Sequence, residues 1–332
     1  MKKILIIQTA FIGDVILATA VIEKLRTYFP DSQIDFLLRK GNESLLTAHP
    51  FLHEVIIWDK KNNKYQNWWK ILQRVRREKY DLLVNLQRFA SMGLFAGLSK
   101  AKKIIGFRNT PFAFLFHEKY EHRIGDDTHE VERNQLLITK LTDSHVLRPQ
   151  LYPSLQDEQA AKPFKSKPYI CIAPASVWFT KQYPKHKWVE LILALPKTLK
   201  IYLLGSPSDQ ALCEAIIQDS KEKNHHELEI ENLCGKLSLL ASAALMREAM
   251  MNYVNDSAPL HLASAVNAPT CAVFCSTVPE FGFTPLAEKS HIVQVNHRLS
   301  CRPCGLHGHK QCPQHHFRCA EEIQTEQLVC IL

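Results

Sequence analysis

Four short stretches hold side chains whose types and spacing could do chemistry. The first is Gly13-Asp14, which follows the apolar run from Ile4 to Ile7. A lone glycine makes a poor phosphate cradle, because the dinucleotide loop needs three in G-x-G-x-x-G. A carboxylate there can instead take a proton: its ordinary pKa near ~3.9 leaves it ionised at neutral pH. The second stretch is NDSAPLHLA, starting at Asn255. Pro259 suits the first turn of a helix, where a missing N–H costs nothing. Asp256 or Ser257 either caps that helix or lies beside an anion drawn to its free N–H groups. His261 falls on the same first turn. The third stretch, TKQYP, places Lys181 before a helix-like segment, where an ammonium could offset charge on a departing phosphate. In the fourth, LLGSPSD, Asp209 could cap the next helix or reach a ribose hydroxyl.

A fifth cluster closes the chain. Cys301, Cys304, Cys312 and Cys319 are spaced C-x2-C-x7-C-x6-C, with His307, His309, His315 and His316 among them. The first pair has the spacing of zinc ligands and the second does not, so packed reduced thiols are expected, with a zinc site as the alternative.

These stretches need strands to end before them and helices to start after them, and the pattern supplies both. KKILIIQ, QIDFLL, EVIIWD, DLLVNLQ and KKIIGF read as strands in the first half. YICIAPA, KIYLLGS, LEIENLCG, MNYVND, TCAVFCS and HIVQV do so in the second. Helical periodicity lies between several of them: Val15, Ala18, Ile22 and Leu25 fall on one face. Short buried strands alternating with helices predict an α/β fold with parallel sheets. The proline-rich stretch 148–168 interrupts the rhythm as a linker would. Domains of 1–155 and 156–332 are therefore expected, with ligands held in a cleft at the carboxyl ends of the strands.

The net charge of +8 belongs wholly to residues 1–150, which hold 24 Lys and Arg against 16 Asp and Glu. The rest of the chain holds 17 of each, so an anionic partner is expected for the first half. The neutral second half, where the Cys/His tail lies, argues against a nucleic-acid binder. No apolar stretch reaches the ~20 residues that span a bilayer. Lys2-Lys3 precede too short an apolar run for a signal peptide, and a cytoplasmic location follows as the expectation.

The opening QTAFIGDVILATAVIEKL, the central TKQYP and LLGSPSD, and VNDSAPLHLASAVNAPTCAVF together resemble the lipopolysaccharide heptosyltransferases of glycosyltransferase family 9. The resemblance covers nearly the whole chain. It implies a GT-B fold, two Rossmann-like domains facing a central cleft, the first binding acceptor and the second the nucleotide sugar. It also implies inverting transfer of heptose from ADP-L-glycero-D-manno-heptose to the inner core of lipopolysaccharide, a Kdo-lipid A type acceptor. Carried over by position, Asp14 resembles the catalytic base and Lys181 the phosphate-binding lysine. Asp209, Asp256, Ser257, Ala258 and His261 resemble donor-binding positions, and Thr9 and Gly13 of the first loop are expected to join them. Ala258 and Cys275 stand where the family commonly has glycine. No cofactor or metal is implied. Peripheral contact with the anionic inner face of the cytoplasmic membrane is expected from the basic first half. The competing readings are a family-9 enzyme using another sugar nucleotide and a nucleotide-dependent oxidoreductase. The second lacks its glycine fingerprint.

Overall fold

The computed structural model describes residues 1–223 and 228–332, and the chain divides into two compact units, Met1–Tyr152 and Pro153–Leu332. The first holds β1 (Lys3–Ile7), β2 (Gln33–Arg39), β3 (Glu54–Trp58), β4 (Leu82–Asn85), β5 (Lys103–Phe107) and β6 (Glu118–Tyr120). Its helices are α1 (Ile12–Tyr28), α2 (Lys64–Glu78), α3 (Ala90–Leu98) and α4 (Glu130–Leu136). The second unit begins with α5 (Leu155–Ala161), β7 (Tyr169–Ala173), α6 (Lys185–Ala194), β8 (Lys200–Leu203), α7 (Gln210–Lys223) and β9 (Ile230–Asn232). It continues with α8 (Leu239–Glu248), β10 (Asn252–Asn255), α9 (Ala258–Ala265), β11 (Thr270–Phe274) and β12 (Ser290–Gln294), and the tail adds α10 (Arg318–Glu321) and α11 (Glu326–Val329).

Both sheets are parallel throughout, in orders β3-β2-β1-β4-β5-β6 and β12-β11-β10-β7-β8-β9. Counted within each unit, both have the order 3-2-1-4-5-6 of a Rossmann sheet. The order reverses between β1 and β4, and again between β7 and β10. At such points neighbouring loops part to opposite faces and leave a crevice beyond the strand ends. Strand β7, which leads into the Lys181 loop, and β10, which ends just before Asp256, are thus neighbours, with Val254 opposite Ala173. Central strands read as continuous apolar runs because helices cover both faces; Ile4 to Ile7 are wholly buried.

Three segments differ from the sequence reading. Helix α1 was expected to be amphipathic, but Val15 to Ile22 are all buried. Its outer side is covered by α4 and the chain leading to Tyr152, where Lys24 Nζ binds the carbonyls of Asp143 and His145 at 2.7 and 2.5 Å. The stretch 148–168 contains α5, capped by Ser154 and Asp157 and docked on α8 through a 2.6 Å bond from Ser238 to Asp157. Strand β6 was missed because Glu-Lys-Tyr has none of the apolar signal of a buried strand; it pairs only with β5, at the sheet edge. Among the described residues, no helix is long and apolar enough to cross a membrane.

Candidate active site

In the first unit the chemistry sits on the loop after β1, at the switch point. Phe11 precedes α1 with extended backbone and offers no side-chain oxygen to cap it. Asp14, on the first turn, reaches back, and its Oδ2 accepts the Phe11 N–H at 3.0 Å. That is half of a capping box. The bond uses one carboxylate oxygen, so capping and base chemistry do not compete for the same atom. Burial pushes Asp14 up to about 6, helped by the charge of Glu130 and opposed by the Phe11 N–H and Arg88.

Glu130 belongs to a buried chain of polar groups. His122 Nε2 lies 3.0 Å from Glu130 Oε2, and Arg133 Nε donates to the same oxygen at 3.0 Å. Burial acts against its charge, but His122 and Arg133 outweigh it and hold the carboxyl below its usual range. Arg88 Nη1 lies 3.2 Å from His122 Nδ1. A guanidinium can only donate, so Nδ1 accepts and Nε2 carries the proton that faces Glu130. Lys60 closes the other side of the loop, donating to the Thr9 carbonyl at 2.7 Å and lying over the Trp58 ring. Burial, Arg39 and Lys64 lower it to about 8. Arg39 in turn stacks on Phe11 at 4.8 Å. Cations therefore flank the loop that carries the acid, a field suited to an anionic substrate.

The second unit builds its site on both sides of its switch point. Lys181 ends a short 3-10 turn after β7, and Asp256 follows β10. Lys181 Nζ meets Asp256 Oδ2 at 2.7 Å, with the side chains only 15% and 8% exposed. Thr277, in the loop after β11, donates to the same Asp256 oxygen at 2.6 Å. Neither Asp256 nor Ser257 caps α9: Ser257 occupies the capping position but makes no side-chain cap bond, and its hydroxyl turns to the Asn255 carbonyl at 3.4 Å. The first N–H groups of α9 are left without that cap, beside a lysine. Such a place favours a phosphate. Ala258 opens the helix and His261 lies at the end of its first turn, buried with its ring against Phe283. Asp209 lies in the loop after β8, one strand away from β7, with Oδ2 accepting from Ser206 N–H at 2.8 Å and from its hydroxyl at 2.7 Å.

The loops are held from below and from behind. Asn255, wholly buried, accepts the Tyr183 N–H at 2.9 Å and donates to the Pro174 carbonyl at 2.8 Å, tying both ends of the Lys181 loop to β10. The cysteine-rich tail supplies the other brace. Arg302 donates to the carbonyls of Cys275, Phe274 and Thr277 at 2.7, 3.2 and 2.7 Å. His309 N–H donates to Thr180 Oγ1 at 2.7 Å, and Ser276 Oγ donates to that same oxygen at 3.0 Å. Gly308 lies so close that an added Cβ would come within 2.7 Å of Thr180 Oγ1 and 3.1 Å of Lys181 Cγ. Arg302→Ala is expected to cost about 2–3 kcal/mol of stability in urea unfolding, as charge-assisted bonds to buried carbonyls are lost. It should also weaken pyrophosphate binding about tenfold in calorimetry, since Thr277 loses its support; unchanged affinity would reduce the tail to packing.

All ten cysteines are unpaired, and Cys301 Sγ lies 3.9 Å from His316 Nε2. Among the described residues, only Asp35, His53 and Glu54 bring three such side chains within 4.8 Å of one another. Each of the three already has a protein partner: Asp35 binds His53 and Tyr80, and Glu54 binds Arg74.

Residues 68–316 match glycosyltransferase family 9 (heptosyltransferase) over most of the chain. The chain belongs to that family. Among its relatives, a lipopolysaccharide heptosyltransferase 3 of Escherichia coli is 27% identical, covering 80% of this chain and 82% of the relative. A lipopolysaccharide heptosyltransferase 1 of Pseudomonas aeruginosa is 24% identical over 99% and 93%. The structure of the E. coli ADP-heptose lipopolysaccharide heptosyltransferase II matches with a TM-score of 0.80 at 20% identity, covering 100% of this chain and 97% of that one. The fold of this family-9 glycosyltransferase is thus GT-B, as the motifs implied.

Within the family-9 enzyme, the structure joins Lys181 to Asp256 and places Ser257, Ala258 and His261 on the helix start beside them. Asp14, Gly13 and Thr9 lie in the other unit. Thr9 is wholly buried; its hydroxyl has no partner among the described residues. Sequence reasoning missed Thr277, Asn255, Arg302 and the Arg88–His122–Glu130–Arg133 chain. Asn255 was readable, since a buried strand that ends in an amide asks for a partner. Arg302 was hidden by the cysteines around it.

Proposed function

We propose that this enzyme transfers heptose with inversion from ADP-L-glycero-D-manno-heptose to the inner core of lipopolysaccharide. The observation that carries the reading is the Lys181–Asp256–Thr277 constellation beside the uncapped start of α9. It is a diphosphate site in a family named for heptosyl transfer, and relatives of both sequence and structure bear that name. The acceptor hydroxyl gives its proton to Asp14 as its oxygen bonds to the anomeric carbon. The bond from that carbon to the ADP oxygen breaks on the opposite side. Lys181 and the N–H groups of α9 offset the charge that grows on ADP, the largest kind of contribution in such reactions. These roles need no metal ion and no cofactor.

Arg39, Lys60, Lys64 and Arg88, around the Asp14 loop, suit a phosphorylated, Kdo-bearing acceptor. A cytoplasmic enzyme working on a lipid-anchored acceptor would touch the inner face of the membrane. The test is a panel of ADP-, UDP- and GDP-linked sugars assayed with heptose-deficient lipopolysaccharide. Turnover is expected with ADP-heptose, at least a hundredfold above the others. Turnover only with a uridine- or guanosine-linked sugar would overturn the donor assignment.

A further inference from the structure

One face of the first unit combines exposed aromatic rings with positive charge that lies apart from Lys64 and Arg88 of the Asp14 loop. Residues 64–119 hold twelve Lys and Arg against three Asp and Glu, so this segment alone accounts for the charge excess of the whole chain. The three acids are each engaged nearby, Glu78 by Lys3, Asp81 by Lys102 and Glu118 by Lys103. Lys70, Arg77 and Lys100 are exposed and form no ion pair among the described residues.

The apolar part is continuous with this charge. Trp69 of α2 is 47% exposed, with the Arg76 guanidinium 5.7 Å from its ring. Arg76 Nε reaches the Leu98 carbonyl at the end of α3 at 2.7 Å. The next residue back, Gly97, is in such close contact with Leu115 that an added Cβ would lie 2.4 Å from Leu115 Cδ1. Leu115 follows Phe114, which is 75% exposed and whose ring lies 6.3 Å from that of Phe112. Phe112 has φ of +69°, a left-handed backbone that a bulky side chain adopts only under strain. The loop therefore holds Phe114 outward, with Phe112, 37% exposed, beside it in a conformation that has an energetic cost.

We propose that this face, from Trp69 across the end of α3 to Phe112 and Phe114, docks the enzyme on an anionic bilayer. Aromatic and aliphatic side chains enter the headgroup boundary, while lysine and arginine around them meet acidic lipid. The charge decides the occupant: a surface with its acids already paired and several free cations is complementary to an anionic sheet. Leu115, 37% exposed beside these rings, adds aliphatic surface that suits acyl chains. The proposal deepens the reading that the acceptor is lipid-anchored. Phe112 and Phe114 follow the carboxyl end of β5, the edge of the sheet on which β1 presents Asp14. Docking there keeps the enzyme beside the membrane in which its acceptor stands.

The test uses the full chain and sedimentation with vesicles of phosphatidylethanolamine and phosphatidylglycerol, 3:1 by the usual recipe of about that ratio, against pure phosphatidylcholine. Binding to the anionic vesicles is expected to exceed that to the neutral ones at least tenfold and to weaken as salt is raised. The pair Trp69→Ser with Phe114→Ser, and separately Lys70→Glu with Arg77→Glu, should each lower it at least tenfold with circular dichroism and melting unchanged. Equal binding to both vesicles, undiminished binding by both folded variants, or no binding by the wild type overturns the proposal. So does tight binding of a short DNA duplex, or self-association, that the same substitutions abolish. A soluble deacylated acceptor separates the two readings, since variants and wild type should turn it over alike. Vesicle binding without any turnover by the wild type would sink the function and leave the docking surface standing.

Discussion

Asp14→Asn is expected to lower kcat about 10²–10⁴-fold, the range a general base contributes, while ADP affinity stays near that of wild type. The amide keeps an oxygen that can accept the Phe11 N–H, so the helix start is preserved and only the proton acceptor is lost. Retained turnover would remove Asp14 from the base role. The wild-type enzyme offers a second readout. A base must be ionised, and burial has raised this one to about 6. The rate kcat/KM should therefore climb as pH rises through about 6 and level above it, and the variant's residual rate should lack that limb. The stability consequence has the opposite sign to the usual carboxylate. The folded pKa lies above the unfolded one, so the fold favours the protonated acid. The penalty is absent below about pH 4 and complete above about 6. At pH 7 to 8 the variant should melt no lower than wild type, which separates loss of chemistry from loss of fold.

Lys181→Ala should lower kcat/KM by roughly 2–3 kcal/mol, about 10²-fold, with a matching loss of ADP affinity, if a charge-assisted bond to phosphate disappears. The pairing with Asp256 makes this result more specific. The lysine is held at 2.7 Å from that acid, and its removal leaves a nearly buried carboxylate supported by Thr277 alone. Part of the loss then belongs to the abandoned acid rather than to the missing ammonium. Combining Lys181→Ala with Asp256→Asn measures that part. The double variant should recover stability in urea relative to Lys181→Ala and should not recover ADP binding. Recovery of both would mean that the pair only holds the loop. Unchanged donor affinity and rate in Lys181→Ala would place the phosphate elsewhere.

The strand ends were legible because a parallel strand covered on both faces must be a continuous apolar run, and its loop must then turn polar. Asp14, Lys181, Asp209 and Asp256 all stand at such junctions. The helix starts were less legible. Capping was an open alternative at Asp209 and Asp256, and the structure answers the two differently. Asp209, like Asp14, turns Oδ2 back to the N–H of the capping residue three positions earlier, whereas Asp256 leaves α9 uncapped to bind Lys181 and Thr277. The residue type permits both outcomes; the choice depends on what else lies within reach.

By itself, then, the sequence determined the alternation of strand and helix, the parallel sheets and the positions where chemistry could sit, since these follow from local periodicity and from which residues can end a strand. The tertiary structure alone decided the partners. Lys181 meets Asp256 because β7 and β10, far apart in the chain, become neighbours where the strand order reverses. Asp14 is raised toward neutrality chiefly by burial, and α4, over a hundred residues later, packs on α1 and adds the charge of Glu130. Arg302 supports the Thr277 loop because the tail folds back on β11. Each depends on a contact between segments distant along the chain, and periodicity carries no information about which distant segments meet.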